Sequence, residues 1–128
     1  MVDGKVLGIG GVFLRSEDPA RLAGWYHEHL EFTATEAGKP DPDGNWTWAQ
    51  EAGDTVFAAF PANSDYFAAD RQVMINFRVS GLNALLARLA AAGIEASHRE
   101  DMDGVGRFAR IHDCDGNPIE LWEPAVIV

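Results

Sequence analysis

The chain has 128 residues, 47% of them hydrophobic, which suits one globular domain with a sizeable core. Twenty acidic side chains against 10 basic ones give a formal charge of −10. That balance argues against nucleic acid and an anionic membrane surface as partners, since both need Lys and Arg, and it leaves a cationic ligand open. Cys114 is the single cysteine, so no intramolecular disulfide or CxxC site is available, and no apolar run approaches a membrane span. A cytoplasmic protein is expected.

The first predicted strand runs from Val6 to Arg15, with Ile9, Gly11, Phe13 and Arg15 on one side and Val12 and Leu14 on the other. Asp18-Pro19 has the form of an N-cap followed by proline in the first helical turn. Leu22, Trp25, Tyr26 and Leu30 then recur at helical spacing. The stretch from Glu36 to Asn45, rich in proline, glycine and charge, reads as a loop. Strands are predicted at Trp46 to Gln50 and Thr55 to Phe60, and a linker at Pro61 to Asp70.

The pattern then restarts. Val73, Ile75, Phe77 and Val79 alternate with Met74, Asn76 and Arg78 as a strand. Ser80 is placed to cap a helix with a stripe of Leu82, Leu85, Leu86 and Leu89, closed by Gly93. A strand is predicted at Ile94 to Arg99 and a polar loop at Glu100 to Gly106. Last come two short alternating segments around Asp113-Cys114-Asp115-Gly116-Asn117, a strong hairpin signal. Direct folding back sets Arg110 opposite Glu120, Phe108 opposite Trp122 and His112 opposite Pro118. One face is then wholly apolar (Ala109, Ile111, Ile119, Leu121), and the other mixes aromatic and ionisable groups.

Each half thus reads β-α-β-β-β, and one offset carries Val12 onto Ile75 and Leu22 onto Leu85. The expected fold is α+β: two such modules, about 6–60 and 71–125, form an incomplete barrel around a central cavity within a single domain of 1–128. Such a shared cavity is a usual address for a small ligand.

The segment Gly10 to Arg15, the helix ending Trp25-Tyr26-His27-Glu28-His29-Leu30-Glu31-Phe32, the strand Met74 to Val79 with its helix, and the Asp113 to Trp122 hairpin follow in an order that resembles the vicinal oxygen chelate superfamily. That group includes glyoxalases, extradiol dioxygenases and bleomycin-resistance proteins. The resemblance places the metal ligands of metal-using members on Gly11, at or beside Ala58, on Met74 and on Glu120. Only Glu120 is a suitable donor; glycine and alanine supply none, and a thioether suits a hard divalent ion poorly. No metal and no cofactor is therefore expected. Cys114 stands where a proline is common in the family.

The candidate catalytic residues are Glu120, Arg110 and His112, with Arg110 and Glu120 expected to form a cross-strand ion pair. The candidate ligand-binding residues are Phe13, Trp46, Trp48, Met74, Asn76, Phe108, Arg110, Glu120 and Trp122. Trp46 and Trp48 share a strand face, and their pattern fits the cavity mouth and the core equally. His27 and His29, two apart on a helix, cannot face one site together. Gly8, Gly10 and Gly11 precede more strand instead of opening a helix, which rejects a dinucleotide fold.

The reading that follows is a metal-independent small-molecule-binding protein, its ligand aromatic or cationic. The alternative is a lyase, isomerase or dioxygenase-like enzyme using Glu120 as metal ligand or general base. The resemblance also implies a homodimer.

Overall fold

The computed structural model describes residues 4–31 and 48–126. Helix α1 spans Pro19–Leu30. Its first turn is set by Asp18, whose carboxylate accepts the Arg21 amide at 3.1 Å, and by Pro19, whose missing N–H leaves nothing unsatisfied there. Glu31 ends the helix in the left-handed region, at φ 47°.

Four strands form a mixed sheet: β1 (Ile75–Arg78), β2 (Ser97–Met102), β3 (Gly106–His112) and β4 (Pro118–Pro124), in the order β1-β4-β3-β2. Strand β1 runs parallel to β4, and β3 is antiparallel to both β4 and β2. The hairpin register is as the alternation predicts, with Arg110 opposite Glu120, Phe108 opposite Trp122 and His112 opposite Pro118. Strand β2 begins three residues later than Ile94, so the polar loop contracts to residues 103–105.

Helix α2 covers Leu82–Ala91. Its N-cap is Gly81 and not the expected Ser80, because the backbone there adopts φ 59°, which glycine tolerates without a Cβ penalty. The Gly81 N–H is satisfied from β4, where Glu123 Oε2 accepts it at 3.0 Å. Gly93 closes the helix end in the left-handed conformation, as its position predicts.

Both helices contribute to one core. Leu22 and Tyr26 from α1 and Leu82, Leu85, Leu86 and Leu89 from α2 meet Ala109, Ile111, Ile119 and Leu121 of the hairpin. Ile111, Ile119 and Leu121 are 0% exposed. Burying each such side chain contributes on the order of 1.5–3 kcal/mol, which makes this apolar face the main source of stability.

The first half differs from its sequence pattern. Residues 4–18 and 48–60 contain no strand, so the predicted strands Val6 to Arg15 and Thr55 to Phe60 are not formed, and residues 48–50 of the third are likewise not in a strand. Trp46 and residue 47 lie outside the described residues. Val6, Leu7, Phe13, Val56 and Phe57 stand exposed. Alternation makes a segment fit for a sheet, but a strand exists only when a neighbour takes its backbone groups. Among the described residues there is accordingly one open four-stranded sheet where the pattern predicts two modules closing on a cavity.

Candidate functional site

The β3–β4 turn is fixed by Asp113. This buried carboxylate accepts the backbone N–H groups of Asp115 and Asn117, both at 2.9 Å, and the Asn117 side-chain amide at 2.8 Å. The Tyr26 hydroxyl of α1 donates to it at 2.6 Å. Burial, that hydrogen bond and the Asp113 charge push the Tyr26 phenol well above the ordinary tyrosine value. Arg71 clamps the turn from outside, bonding Asn117 Oδ1 at 2.9 Å and the Asp115 carbonyl at 3.1 Å.

A rigid turn holds the register, and the register sorts the side chains. With Ala109, Ile111, Ile119 and Leu121 on the helices, Phe108, Arg110, Glu120 and Trp122 share the opposite face. The Phe108 and Trp122 rings are stacked, with centroids 6.1 Å apart and planes within 5°. Trp122 is pinned by its indole N–H, which donates to the Val105 carbonyl at 2.9 Å. Gly106 makes room for it: a Cβ there would stand 2.7 Å from the indole nitrogen.

Glu120 lies beside this aromatic pair and is 8% exposed. Its Oε1 accepts from the Asn76 side-chain amide at 2.8 Å, across the β1–β4 register that sets Asn76 opposite Glu120. Its Oε2 accepts a short hydrogen bond from the Tyr66 hydroxyl. Burial, the bond to Glu120 and the carboxylate's charge push the Tyr66 phenol up to about 12, with Arg110 opposing.

Arg110 corrects the expected ion pair. It stands opposite Glu120, yet makes no ion pair among the described residues, and the Glu120 oxygens accept from Tyr66 and Asn76 instead. Its guanidinium lies under the Tyr66 ring, with Cζ 5.0 Å from the centroid. The side chain is 4% exposed, and Nε is buried without a hydrogen-bond partner. A desolvated cation–π contact contributes about 2 kcal/mol, whereas burying an unpaired ion costs several. The ring therefore offsets only part of the desolvation.

The other predicted residues divide. Asn76 joins the cluster, as above, and Met74 is half-buried just before β1. Phe13 is 93% exposed and His112 is exposed at the turn, so neither adds to the enclosed cluster. Trp48 approaches Phe77, with centroids 6.2 Å apart, and Phe77 packs against the helical core, so Trp48 belongs to that side. Tyr66 is the residue that sequence reasoning missed. Its signal was an aromatic cluster inside a presumed linker, where Phe60 packs 5.3 Å from Tyr66 and 6.0 Å from Phe67.

Among the described residues no three His, Cys, Asp or Glu side chains converge, so those residues supply no donor set of the kind a divalent metal needs. Burial pushes the Cys114 thiol up against the opposing pull of Arg21, the reverse of an activated nucleophile. Two surface depressions, of about 310 and 340 Å³, lie at the β2–β3 turn and between α1 and Cys114; neither is lined by Phe108, Arg110, Glu120 or Trp122. Among the described residues no helix is long and apolar enough to cross a membrane.

Several solved structures are similar to this chain. A glyoxalase family protein from Enterococcus faecalis shares 31% identity over 50% of this chain and 52% of its own, with a TM-score of 0.39, so the match spans about half of that relative. A glyoxylase/bleomycin resistance protein/dioxygenase domain from Frankia sp. EAN1pec is 19% identical over 94% of this chain and 100% of its own, with a TM-score of 0.57. TnmS3, an antibiotic binding protein from Streptomyces sp. CB03234, has the same coverage and TM-score at 22% identity. No curated protein matches the chain. The family model of the glyoxalase-like domain matches residues 11–122, nearly the whole span from the first glycine-rich segment through Trp122. The chain therefore belongs to the glyoxalase-like domain family, consistent with the vicinal oxygen chelate superfamily.

Proposed function

We propose that this protein binds a small aromatic molecule on the outer face of the C-terminal hairpin, without a metal ion held by its own side chains. The observation that carries this reading is one surface: the stacked Phe108–Trp122 pair adjoins Glu120, whose two oxygens are oriented by Tyr66 and Asn76. A flat apolar platform beside fixed polar groups is how small-molecule sites combine affinity with orientation. The similarity to TnmS3, described as an antibiotic binding protein, supports binding over turnover.

Calorimetric titration with 2-naphthamide, a neutral flat probe, tests the platform. Binding should weaken about threefold to tenfold in Phe108→Ala, the share that one aromatic contact supplies. Equal affinity for wild type and variant would remove the hairpin face as the site.

The functional unit proposed is a homodimer. Val6, Leu7, Phe13, Val56 and Phe57 leave apolar surface exposed on two segments, and a second copy is the partner always present at matching concentration. Light scattering over a concentration series should show the mass doubling. A constant monomer mass up to high concentration would contradict it.

A further inference from the structure

We propose that Arg110 is an anion receptor, so that the aromatic ligand of this site is an acid whose carboxylate or comparable anionic oxygen lies against its guanidinium. The inference rests on the binding reading above and names the ligand's charge.

Two observations of Arg110 and the chemistry of its side chain converge on it. Arg110 is more than nine-tenths buried, and its Nε has no hydrogen-bond partner. A guanidinium offers five N–H donors in a planar fork, matched to two oxygens of a carboxylate. A donor left unmade inside a protein marks where an acceptor of that shape belongs.

The neighbouring carboxylate does not fill this role. Glu120 stands opposite Arg110 in the register, but Asn76 and Tyr66 each donate to one of its oxygens. The Asn76 donor remains when a ligand is bound and disperses part of the Glu120 charge, which lessens its repulsion of an incoming anion. A cationic ligand seated there would meet the guanidinium. The overall charge of −10 invites a cation to the surface, but the local arrangement selects the opposite sign.

Position supplies the rest of the ligand class. Phe108 precedes Arg110 by two residues on β3, so its ring stands one strand repeat away on the same face, roughly 7 Å along. A carboxylate attached directly to a fused aromatic ring spans that distance. The Tyr66 ring, which now covers the guanidinium, is the group the ligand would displace. Tyr66 is partly exposed at 39% and is carried by a segment outside the sheet, so its movement leaves the hairpin intact.

Three probes sharing one ring test the charge: 2-naphthoate, 2-naphthamide and 2-naphthyltrimethylammonium, titrated calorimetrically into the wild-type protein. The acid should bind about tenfold more tightly than the amide, the difference expected of charge-assisted over neutral hydrogen bonds, and the ammonium should bind most weakly. In Arg110→Met the acid and amide should converge to within about threefold, and Arg110→Lys should keep part of the preference. The wild-type ranking stands alone if Arg110→Met does not fold. Equal binding of acid and amide, or preference for the ammonium, overturns the anion receptor while leaving the aromatic platform in place. No binding of any probe overturns both.

Discussion

The two halves of the chain carry similar alternating patterns and meet different fates. In residues 75–124 the alternation becomes four paired strands with three side chains wholly removed from water. In residues 4–18 and 48–60 it forms no strand, and Phe13 and Phe57 are more than nine-tenths exposed. The contrast shows that period-two hydrophobicity specifies a face but not a partner. The second half supplies its own partner through a hairpin and its own cover through α2. It also recruits α1, whose Leu22 and Tyr26 pack on the same core.

Core truncation should break the comparison most sharply. Ile119→Ala removes a fully buried side chain from the apolar face of the hairpin and should cost about 2–5 kcal/mol by chemical denaturation. Phe13→Ala, measured at a dilution that keeps the protein monomeric, should change stability by less than about 0.5 kcal/mol. A loss at Phe13 comparable to that at Ile119 would mean that the first segment is packed, and the difference between the halves would vanish.

The two tyrosines sharpen the comparison at smaller scale, since one belongs to α1 and the other to the segment before β1. Phenolate absorbance should show no ionisation centred near pH 10, because the chain has only Tyr26 and Tyr66 and both are raised. Tyr66 should titrate first, near 12. A phenol whose folded value exceeds its unfolded value of about 10 stabilises the fold fully below pH 10, and that contribution is lost as pH rises toward 12. Glu120→Gln removes the charge that disfavours the phenolate and should move the Tyr66 transition downward. An unchanged transition would mean that Tyr66 is not bonded to Glu120.

Much of the second half was legible because its signals are local. The Asp113 to Asn117 turn fixed the register, and the register alone placed Phe108, Arg110, Glu120 and Trp122 together. Asp18 capped its helix as expected, for the same reason. Errors arose where a distant residue decided the outcome. Gly81 takes the cap position expected of Ser80, in a left-handed conformation, and its N–H is satisfied by Glu123, far along the chain. Arg110 and Glu120 do not pair, and Tyr66, in an apparent linker, donates to the carboxylate instead. No periodicity within either segment encodes those meetings.

Strand β2 carries a further consequence. It is the outer strand on one side of the sheet, its six residues Ser-His-Arg-Glu-Asp-Met are all exposed, and its pairing with β3 is irregular between Ser97 and Glu100. Charge and a bulge are what blunt an edge against unwanted strands. On the opposite side, β1 is short, regular and half-buried. The sheet therefore has a direction of growth: the β2 border repels added backbone, and any strand joining this sheet enters along β1, next to Asn76 and the Glu120 cluster.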